Sequence, residues 1–279
     1  MKLNVNSVVN NIYKDGYYIA KNVLNERTCN RMSKSLKNLK KKISNNKYYK
    51  DELSESGQIV IRDLVLRDPT KFLFLIDNKL IMNVLKKIFK DTFILDNCMA
   101  SNSILINKKK YKSLVHIDSH LPCKENQNTS DVVVMYCFDN FNKDNGTTKI
   151  WPKSHLSGIH IHKNGNKKFL KNKKYTLLNA KKGSVGFILG QTWHQIGENI
   201  TTDSRWSIII HYKRWWIKPS TDFTKCGTAI FNKLNPMQKK LLGFTSISPK
   251  FNLKKLKRNH KTLRKIEKVP NEYKKSLNY

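Results

Sequence analysis

The hydrophobic pattern of the chain changes its period near Thr92. From there to about Trp216, apolar and β-branched residues occur in short runs separated by polar or glycine-containing segments. Such spacing is typical of an all-β barrel or of two stacked sheets. The predicted strands are 92–96, 101–106, 113–118, 131–138, 147–151, 158–162, 175–178, 184–189 and 205–212.

In the segment before this core, apolar residues recur at helical spacing. Two amphipathic helices are predicted, one from Asn25 or Thr28 to about Ser44 and one over 68–91 that breaks near Asn78. A short strand is predicted to begin at Tyr17, after an Asp-Gly turn signal. The fold class expected from the whole pattern is mainly β with flanking helices.

Three parts of one structural domain are predicted. Residues 1–91 form a strand and helices that pack on the core, residues 92–217 form the β core, and residues 218–279 form a helical, basic extension. Residues 45–58 are polar and predict a loop, whereas the Asn235-Pro236 pair predicts the start of a short helix.

A net charge of +34 would suit a nucleic-acid binder, but the kind of basic residue does not. The chain has 46 Lys, only eight Arg and 31 Asn. A/T-rich codons supply Lys and Asn, whereas proteins that read phosphates or bases favour the bidentate fork of Arg. We therefore interpret the charge mainly as compositional, with nucleic acid as the less favoured partner. A surface of this sign would still attract an anionic substrate.

Cysteine usage and apolar runs bear on the compartment. The five Cys are widely spread and form no C-x-x-C pair, which argues against a disulfide framework and favours a reducing compartment. No apolar run reaches the length of a signal peptide or a membrane span. We expect a cytoplasmic protein, and no motif specifies its oligomeric state.

His116 and Asp118 are the first candidate metal ligands. In a strand, residues i and i+2 point to the same face, so the imidazole and the carboxylate would be presented together. A histidine two places before an acidic residue also arises by chance in a chain with eight His. A strand-end His beside a solvated Asp is therefore the alternative interpretation of this pair.

His194 is the candidate third ligand, and it follows the apolar run Val185–Leu189. Two His and one carboxylate form the facial triad of non-haem Fe(II) oxygenases, whose open positions admit a cosubstrate and O₂. Taken alone, His194 could instead be a half-buried histidine packed beside Trp193.

Arg205 lies eleven residues after His194 and begins an apolar run. A buried guanidinium needs a partner, and a dicarboxylate cosubstrate such as 2-oxoglutarate would supply one. Ser207, on the same strand face, could add a hydroxyl. Pairing of Arg205 with a carboxylate of the protein is the alternative.

Four segments occur together in the order and spacing of one known family. They are Asp15-Gly16-Tyr17 followed by a helix, His116-Ile117-Asp118, the loop from Asn145-Gly146 to Pro152-Lys153-Ser154-His155, and His194 with Gly197, Asn199 and Arg205. Over most of its length the chain thus resembles the phytanoyl-CoA dioxygenase family of Fe(II)/2-oxoglutarate-dependent oxygenases.

The resemblance implies a double-stranded β-helix core of the jelly-roll, cupin-like kind. It implies iron bound by His116, Asp118 and His194, and 2-oxoglutarate bound through Arg205. O₂ would be the second cosubstrate and ascorbate a supporting reductant. Asn102 lies about where some members of the family place an amide on 2-oxoglutarate.

The resemblance also implies the reaction. It is the hydroxylation of an unactivated C–H bond of a small molecule, with release of succinate and CO₂. Related halogenases carry a small residue in place of the carboxylate, so Asp118 favours hydroxylation.

Two positions depart from the family pattern. Lys153 stands where the loop usually has Gly, which leaves the conformation of that turn open. Met135 or Tyr136 stands where members often carry a Trp near the cosubstrate, and the sequence does not say which.

Two other functions share the predicted fold. The first is an oxygenase or demethylase of nucleic-acid bases, although alkylated-base demethylases carry a later pair of Arg that has no counterpart here. The second is a basic binding module without catalysis. The intact set of His116, Asp118, His194 and Arg205 argues against it, because a decayed site typically loses a ligand.

Overall fold

The structure is a computed structural model that describes residues 4–44, 57–106, 111–119, 121, 129–161, 167–171 and 173–246. Its elements in chain order are α1 (Val5–Asp15), β1 (Tyr17–Ala20), α2 (Glu26–Ser44), β2 (Gln58–Ile61), α3 (Leu64–Arg67), α4 (Pro69–Ile76), α5 (Lys79–Phe89), β3 (Phe93–Ser103), β4 (Asp131–Cys137), β5 (Lys149–Ile150), α6 (Lys167–Leu170), β6 (Thr176–Leu177), β7 (Val185–Leu189), β8 (His194–Gln195), β9 (Arg205–Arg214), α7 (Thr228–Phe231) and α8 (Pro236–Leu241). The basic surface helix predicted over 250–279 lies outside the described residues.

The predicted helices begin where their capping residues stand. Asn25 Oδ1 accepts a hydrogen bond from Thr28 N (2.8 Å) at the start of α2. Asp68 caps α4 and Asn78 caps α5, so the helical pattern over 68–91 breaks where the sequence predicts. Side-chain oxygens at these positions satisfy backbone N–H groups that have no partner inside the helix. The sequence does not predict α1, whose Asn-rich surface hides its helical spacing.

Two antiparallel sheets form the β core. The larger sheet has the strand order β1-β7-β4-β9-β3-β2, and the smaller has the order β6-β5-β8. Helices α1–α5, α7 and α8 pack on the outer face of the larger sheet through one apolar cluster. A second cluster fills the space between the sheets and includes Met135, Ile150 and Ile188. This architecture of sheets with flanking helices confirms the predicted fold class and agrees with a double-stranded β-helix.

The strand predictions fail where local geometry differs from the apolar pattern. The runs 92–96 and 101–106 belong to one strand, β3, which carries a bulge between Leu95 and Asn97. Residues 158–161 form no strand, so that prediction is wrong. Within 113–118, only His116 forms a bridge, opposite His194.

The segment before the core also contributes to the larger sheet. Both edge strands, β1 and β2, come from residues 1–91. Part of β2 lies in the predicted loop 45–58, whose residues 45–56 are outside the described part. The division at residue 91 therefore stays a prediction about organisation. Of the described helices, none is both long enough and apolar enough to cross a membrane.

Candidate active site

Three side chains with metal-binding atoms meet beside the smaller sheet. His116 and His194 exchange backbone hydrogen bonds of 2.8 and 2.9 Å, and Asp118 N donates to Gly190 O (2.9 Å). One ligand atom from each of the three residues lies within 4.8 Å of the others. Asp118 Oδ2 is 3.4 Å from His194 Nε2, and Asp118 Oδ1 is 3.9 Å from His116 Nε2. The structure thus brings the predicted triad together.

Hydrogen bonds to carbonyls fix the tautomer of both histidines. His116 Nδ1 lies 3.1 Å from Leu114 O, and His194 Nδ1 lies 3.0 Å from Thr192 O. Because a carbonyl oxygen can only accept, each Nδ1 carries a proton, and the neutral form of each ring then has its lone pair on Nε2. Metal-binding histidines are typically oriented by an interaction of this kind. The Nε2 atoms that face Asp118 are therefore the ones available to a metal.

The carboxyl group of Asp118 is held in its charged form. Burial alone would raise its pKa, but the nearby imidazoles of His194, His211 and His116 outweigh that effect and leave the pKa below its usual value. Two neutral imidazole nitrogens and one carboxylate form the donor set of a mononuclear Fe(II) site with open positions. The residues present therefore fit the implied metal.

Arg205 is buried at the start of β9, with 3% of its surface exposed. Its Nε donates to Asn145 O (3.0 Å), one Nη donates to Gly146 O (2.7 Å), and its guanidinium carbon lies 3.8 Å from the centre of the Phe141 ring. Burial lowers its pKa to about 10. Within the described ranges no carboxylate forms an ion pair with Arg205, so the alternative of a carboxylate partner from the protein finds no support there.

Serine hydroxyls surround the Arg205 end of the inner face. Ser103 lies opposite Arg205, and Ser101 lies opposite Ser207, in the pairing of β3 with β9. The Oγ atoms of Ser101 and Ser103 are buried and have no hydrogen-bond partner in the described part of the chain. Buried hydroxyls without partners beside a buried cation suit a carboxylate ligand. The sequence predicts Ser207 but not Ser101 and Ser103, although their spacing of two was a usable signal.

Asn102 requires a correction. It lies opposite Trp206, on the outer face of the sheet, and its Oδ1 accepts a hydrogen bond from Lys40 Nζ (3.3 Å). Its neighbours Ser101 and Ser103 face the inside, because successive strand residues point to opposite faces. The structure thus places Asn102 on the face of β3 opposite to the one that carries Ser101 and Ser103.

The alternation of side chains along a strand also decides which of Met135 and Tyr136 faces the inside of the core. Met135 belongs to the apolar cluster between the two sheets. Tyr136 faces the helices, and its hydroxyl donates to Leu75 O (2.6 Å). Met135 therefore faces the inside of the core and Tyr136 faces the helices.

The N-terminal turn and the Pro152–His155 loop meet next to His194. Gly16 O accepts hydrogen bonds from Leu189 N (2.9 Å) and Thr192 Oγ1 (2.8 Å). Trp193 N donates to Ser154 Oγ (2.8 Å). The chain on the N-terminal side of His194 is thus held by two distant segments, which explains why these motifs occur together.

In the same loop, Lys153 adopts a left-handed backbone conformation of the kind that glycine favours. Lys153 has a φ of +65°, in the left-handed region, and its N–H donates to Asp15 O (3.0 Å). Next to it, His155 Nε2 donates to Tyr13 O (2.9 Å), and burial lowers the His155 pKa, which keeps the ring neutral. Lys in place of Gly at position 153 therefore adds backbone strain at one residue. The contacts between the N-terminal turn and the Pro152–His155 loop, which we call the joint, remain formed.

Gly16→Ala is expected to destabilise the protein. Gly16 has a φ of +86°, and an added Cβ would lie 2.5 Å from His155 Nδ1 and 2.7 Å from Thr192 Oγ1. The left-handed backbone and the overpacking together are expected to cost about 2–4 kcal/mol in the free energy of unfolding. Urea denaturation measures this loss.

Lys153→Gly is the matched control, since it relieves a positive φ instead of creating a clash. It is expected to stabilise the protein by about 0.5–1 kcal/mol. A Gly16→Ala protein as stable as the parent would show that this joint tolerates a side chain.

His211 and Asp131 are two titratable residues near the triad that sequence reasoning does not identify. Burial lowers the pKa of His211, and the negative charge of Asp118 partly offsets this. Burial raises the pKa of Asp131 to about 6, with Ser130 opposing the rise and Asp118 adding to it. Neither lies in a motif, so only the strand register could reveal them.

Comparisons with known proteins agree with this geometry. A family model described as phytanoyl-CoA dioxygenase (PhyH) matches residues 12–207. No curated protein matches the chain.

Several solved structures have a similar fold. The carbocyclase SnoK of nogalamycin biosynthesis, described as non-heme and alpha-ketoglutarate dependent, has a TM-score of 0.62 at 16% identity, covering 76% of this chain and 85% of SnoK. AviO1 from Streptomyces viridochromogenes has a TM-score of 0.62 at 14% identity, covering 79% of this chain and 100% of AviO1. The epimerase SnoN, solved with Fe3+, alpha-ketoglutarate and nogalamycin RO, has a TM-score of 0.58 at 14% identity, covering 75% of this chain and 83% of SnoN. At these identities the likeness shows the fold alone.

Proposed function

Since this chain belongs to the phytanoyl-CoA dioxygenase family, and is therefore a 2-oxoglutarate-dependent oxygenase, we propose that it hydroxylates an unactivated C–H bond of a small molecule. The balanced reaction converts substrate, 2-oxoglutarate and O₂ into hydroxylated substrate, succinate and CO₂. The observation that carries the proposal is the convergence of two oriented imidazole Nε2 atoms and one charged carboxylate.

His116, Asp118 and His194 would hold the iron, and Fe(II) supplies the activation of O₂ when it is bound. The carbonyls of Leu114 and Thr192 keep the two rings in the ligating tautomer. Asp118 fills with a carboxylate the position that halogenases leave open for a halide, which supports hydroxylation as the outcome.

Arg205 would bind the distal carboxylate of 2-oxoglutarate. The hydroxyls of Ser101, Ser103 and Ser207 would add hydrogen bonds, since their strand positions border that guanidinium. Asn145 O and Gly146 O orient the fork by accepting from two of its nitrogens. The distal carboxylate of 2-oxoglutarate would thus be bound by a guanidinium that two backbone carbonyls hold in place.

The test is succinate release from 2-oxoglutarate with Fe(II), ascorbate and a library of small metabolites. We expect slow release without substrate, faster release with a substrate, and a product that gains one oxygen atom from ¹⁸O₂. Reactions without Fe(II) are the control. Absence of succinate under all conditions would contradict an active oxygenase. A product without added oxygen would contradict hydroxylation, and this outcome needs checking because two structural relatives are named as an epimerase and a carbocyclase.

A base in DNA or RNA is the second candidate substrate, and the net charge of +34 is the observation that favours it. Salt-sensitive binding to nucleic acid follows from charge alone and does not discriminate. Oxidised bases in a mass spectrum of treated oligonucleotides would favour this candidate over a small molecule.

A further inference from the structure

The inner face of β9 changes its chemistry from one end to the other. Successive inner rows, with β3 on one side and β4 on the other, are Ser103–Arg205, Ser101–Ser207–Cys137, Met99–Ile209–Met135, Asn97–His211–Val133 and Lys213–Asp131. The face is therefore polar at the Arg205 end, apolar in the middle, and polar again at His211 and Lys213. Binding of 2-oxoglutarate gives a role to the first polar end only.

The second polar end borders the triad. His211 interacts electrostatically with Asp118 and His194, and Lys213 interacts with Asp118. Arg205 and His211 are six residues apart on the strand, a distance of about 20 Å along its axis. A cosubstrate held by Arg205 would approach the triad from one side, and the opposite side, lined by His211, remains for the substrate.

Asn97 offers a buried acceptor on this side. Its Nδ2 donates to Asp96 Oδ2 (3.0 Å), and because a carboxylate only accepts, this bond fixes which end of the amide is the oxygen. Asn97 Oδ1 is buried and has no partner within the described residues. A buried acceptor of this kind is costly to leave unpaired. The bulge between Leu95 and Asn97 changes which face of β3 the Asn97 side chain points to, as bulges next to active sites commonly do.

His211 lies directly opposite Asn97, so the two side chains are neighbours on the inner face. Throughout the described part of the chain, neither ring nitrogen of His211 makes a hydrogen bond. One of the two nitrogens of a neutral imidazole is a donor and the other an acceptor. The pair can therefore accept through Asn97 and donate through His211.

The local charge at this end is not that of the whole protein. Lys213 Nζ is 3.0 Å from Asp96 Oδ1, so its charge is paired, and Asp131 lies opposite Lys213 in the pairing of β4 with β9. A carboxylate or phosphate on the substrate would face these groups and could not donate to Asn97 Oδ1. A hydroxyl or an amide would meet neither obstacle, since each can donate and accept.

We propose that Asn97 and His211 recognise the substrate, and that this substrate carries a neutral hydroxyl or amide group near the carbon that reacts. The inference rests on the proposed function and narrows it. It replaces the anionic substrate suggested by the net charge with a neutral, hydrogen-bonding one.

The test uses the full chain loaded with Mn(II), which replaces Fe(II) without turnover, and with 2-oxoglutarate. The probes are 1,2-propanediol and N-methylacetamide as neutral compounds, and acetate and methyl phosphate as anions. Paramagnetic broadening of the probe protons in NMR spectra reports binding near the metal. We expect broadening of the neutral probes to exceed that of the anions severalfold.

Asn97→Leu and His211→Phe are expected to weaken binding of the neutral probes about tenfold, since each removes one buried hydrogen-bonding partner. His211→Gln keeps a donor and an acceptor and is expected to retain most of the binding. Asn10→Leu, on the exposed face of α1, is the matched control. The rescue by Gln separates recognition from loss of folding.

Anions broadened as strongly as the neutral probes would overturn the proposal, and so would unchanged broadening in Asn97→Leu and His211→Phe. A parent protein that binds neither Mn(II) nor 2-oxoglutarate would overturn the proposed function together with this inference. Binding of the metal and cosubstrate without selective binding of the neutral probes would overturn this inference alone.

Discussion

Replacing His194 with Ala is expected to remove metal binding and to reduce succinate release more than about 100-fold. Loss of an outer hydrogen-bonding partner of a ligand already costs about 10–100-fold in metal affinity or activity, and here a ligand itself is lost. Thr192 O orients the ring of His194, and its Nε2 lies 3.4 Å from Asp118 Oδ2, so the substitution removes one of the three donor atoms of the triad. Equilibrium dialysis with Mn(II) measures affinity, and the succinate assay measures activity.

His155→Ala is the control for this experiment. The His155 ring is buried and bonds to Tyr13 O, so its removal should lower thermal stability while leaving one metal bound per chain at low temperature. A His194→Ala protein that retains the metal affinity of the parent would show that the triad is wrongly assigned. A similar loss of metal in both variants would point to unfolding instead.

Local spacing made the triad predictable from the sequence. His116 and Asp118 are two apart, and a strand or an extended segment presents such residues on one side. His194 joins them because an isolated bridge pairs it with His116, a contact between distant segments that the family motifs encode and the apolar pattern does not. The chemistry of the site could therefore be predicted before its geometry was known.

The alternation of side chains between the two faces of a strand explains why the prediction for Asn102 failed. Shifting a residue by one position in a strand moves its side chain to the other face, so Asn102 points to the helices while Ser101 and Ser103 point inward. The bulge at Asp96 adds one residue to β3 and changes parity between its two ends. No apolar pattern reveals that insertion, and the inward positions of Asn97 and His211 depend on it.

The turn at Lys153 shows a different limit of sequence reasoning. A Lys where relatives have Gly leaves the backbone conformation open, because non-glycine residues adopt positive φ only rarely. The bond from Lys153 N to Asp15 O and the neighbouring contacts of Ser154 and His155 keep the turn in place. Tertiary contacts thus outweigh a local preference of about 1–2 kcal/mol.

Arg205→Ala is expected to weaken 2-oxoglutarate binding about 30- to 4,000-fold. Removing one partner of a buried charge pair costs about 2–5 kcal/mol, and each 1.4 kcal/mol corresponds to a factor of ten in the dissociation constant. Arg205→Lys keeps the charge but loses the fork, so its affinity should lie between those of the parent and the Ala variant. Anaerobic titration calorimetry on the metal-loaded protein measures the dissociation constant.

Arg31 provides the matched control for Arg205. Its guanidinium carbon lies 5.7 Å from the Phe74 ring centre on the helical side of the molecule, so Arg31→Ala removes an exposed cation that lies over an aromatic ring, far from the strands that carry the site. Arg205→Ala also breaks the hydrogen bonds to Asn145 O and Gly146 O, which makes some loss of stability certain. Weaker binding of 2-oxoglutarate and loss of folding can be distinguished by raising the concentration of 2-oxoglutarate. An excess should restore succinate release to a folded Arg205→Ala protein and cannot restore it to an unfolded one. Unchanged affinity for 2-oxoglutarate in a folded Arg205→Ala protein would move the cosubstrate away from this end of β9, and the substrate side inferred at His211 would then have to be reassigned as well.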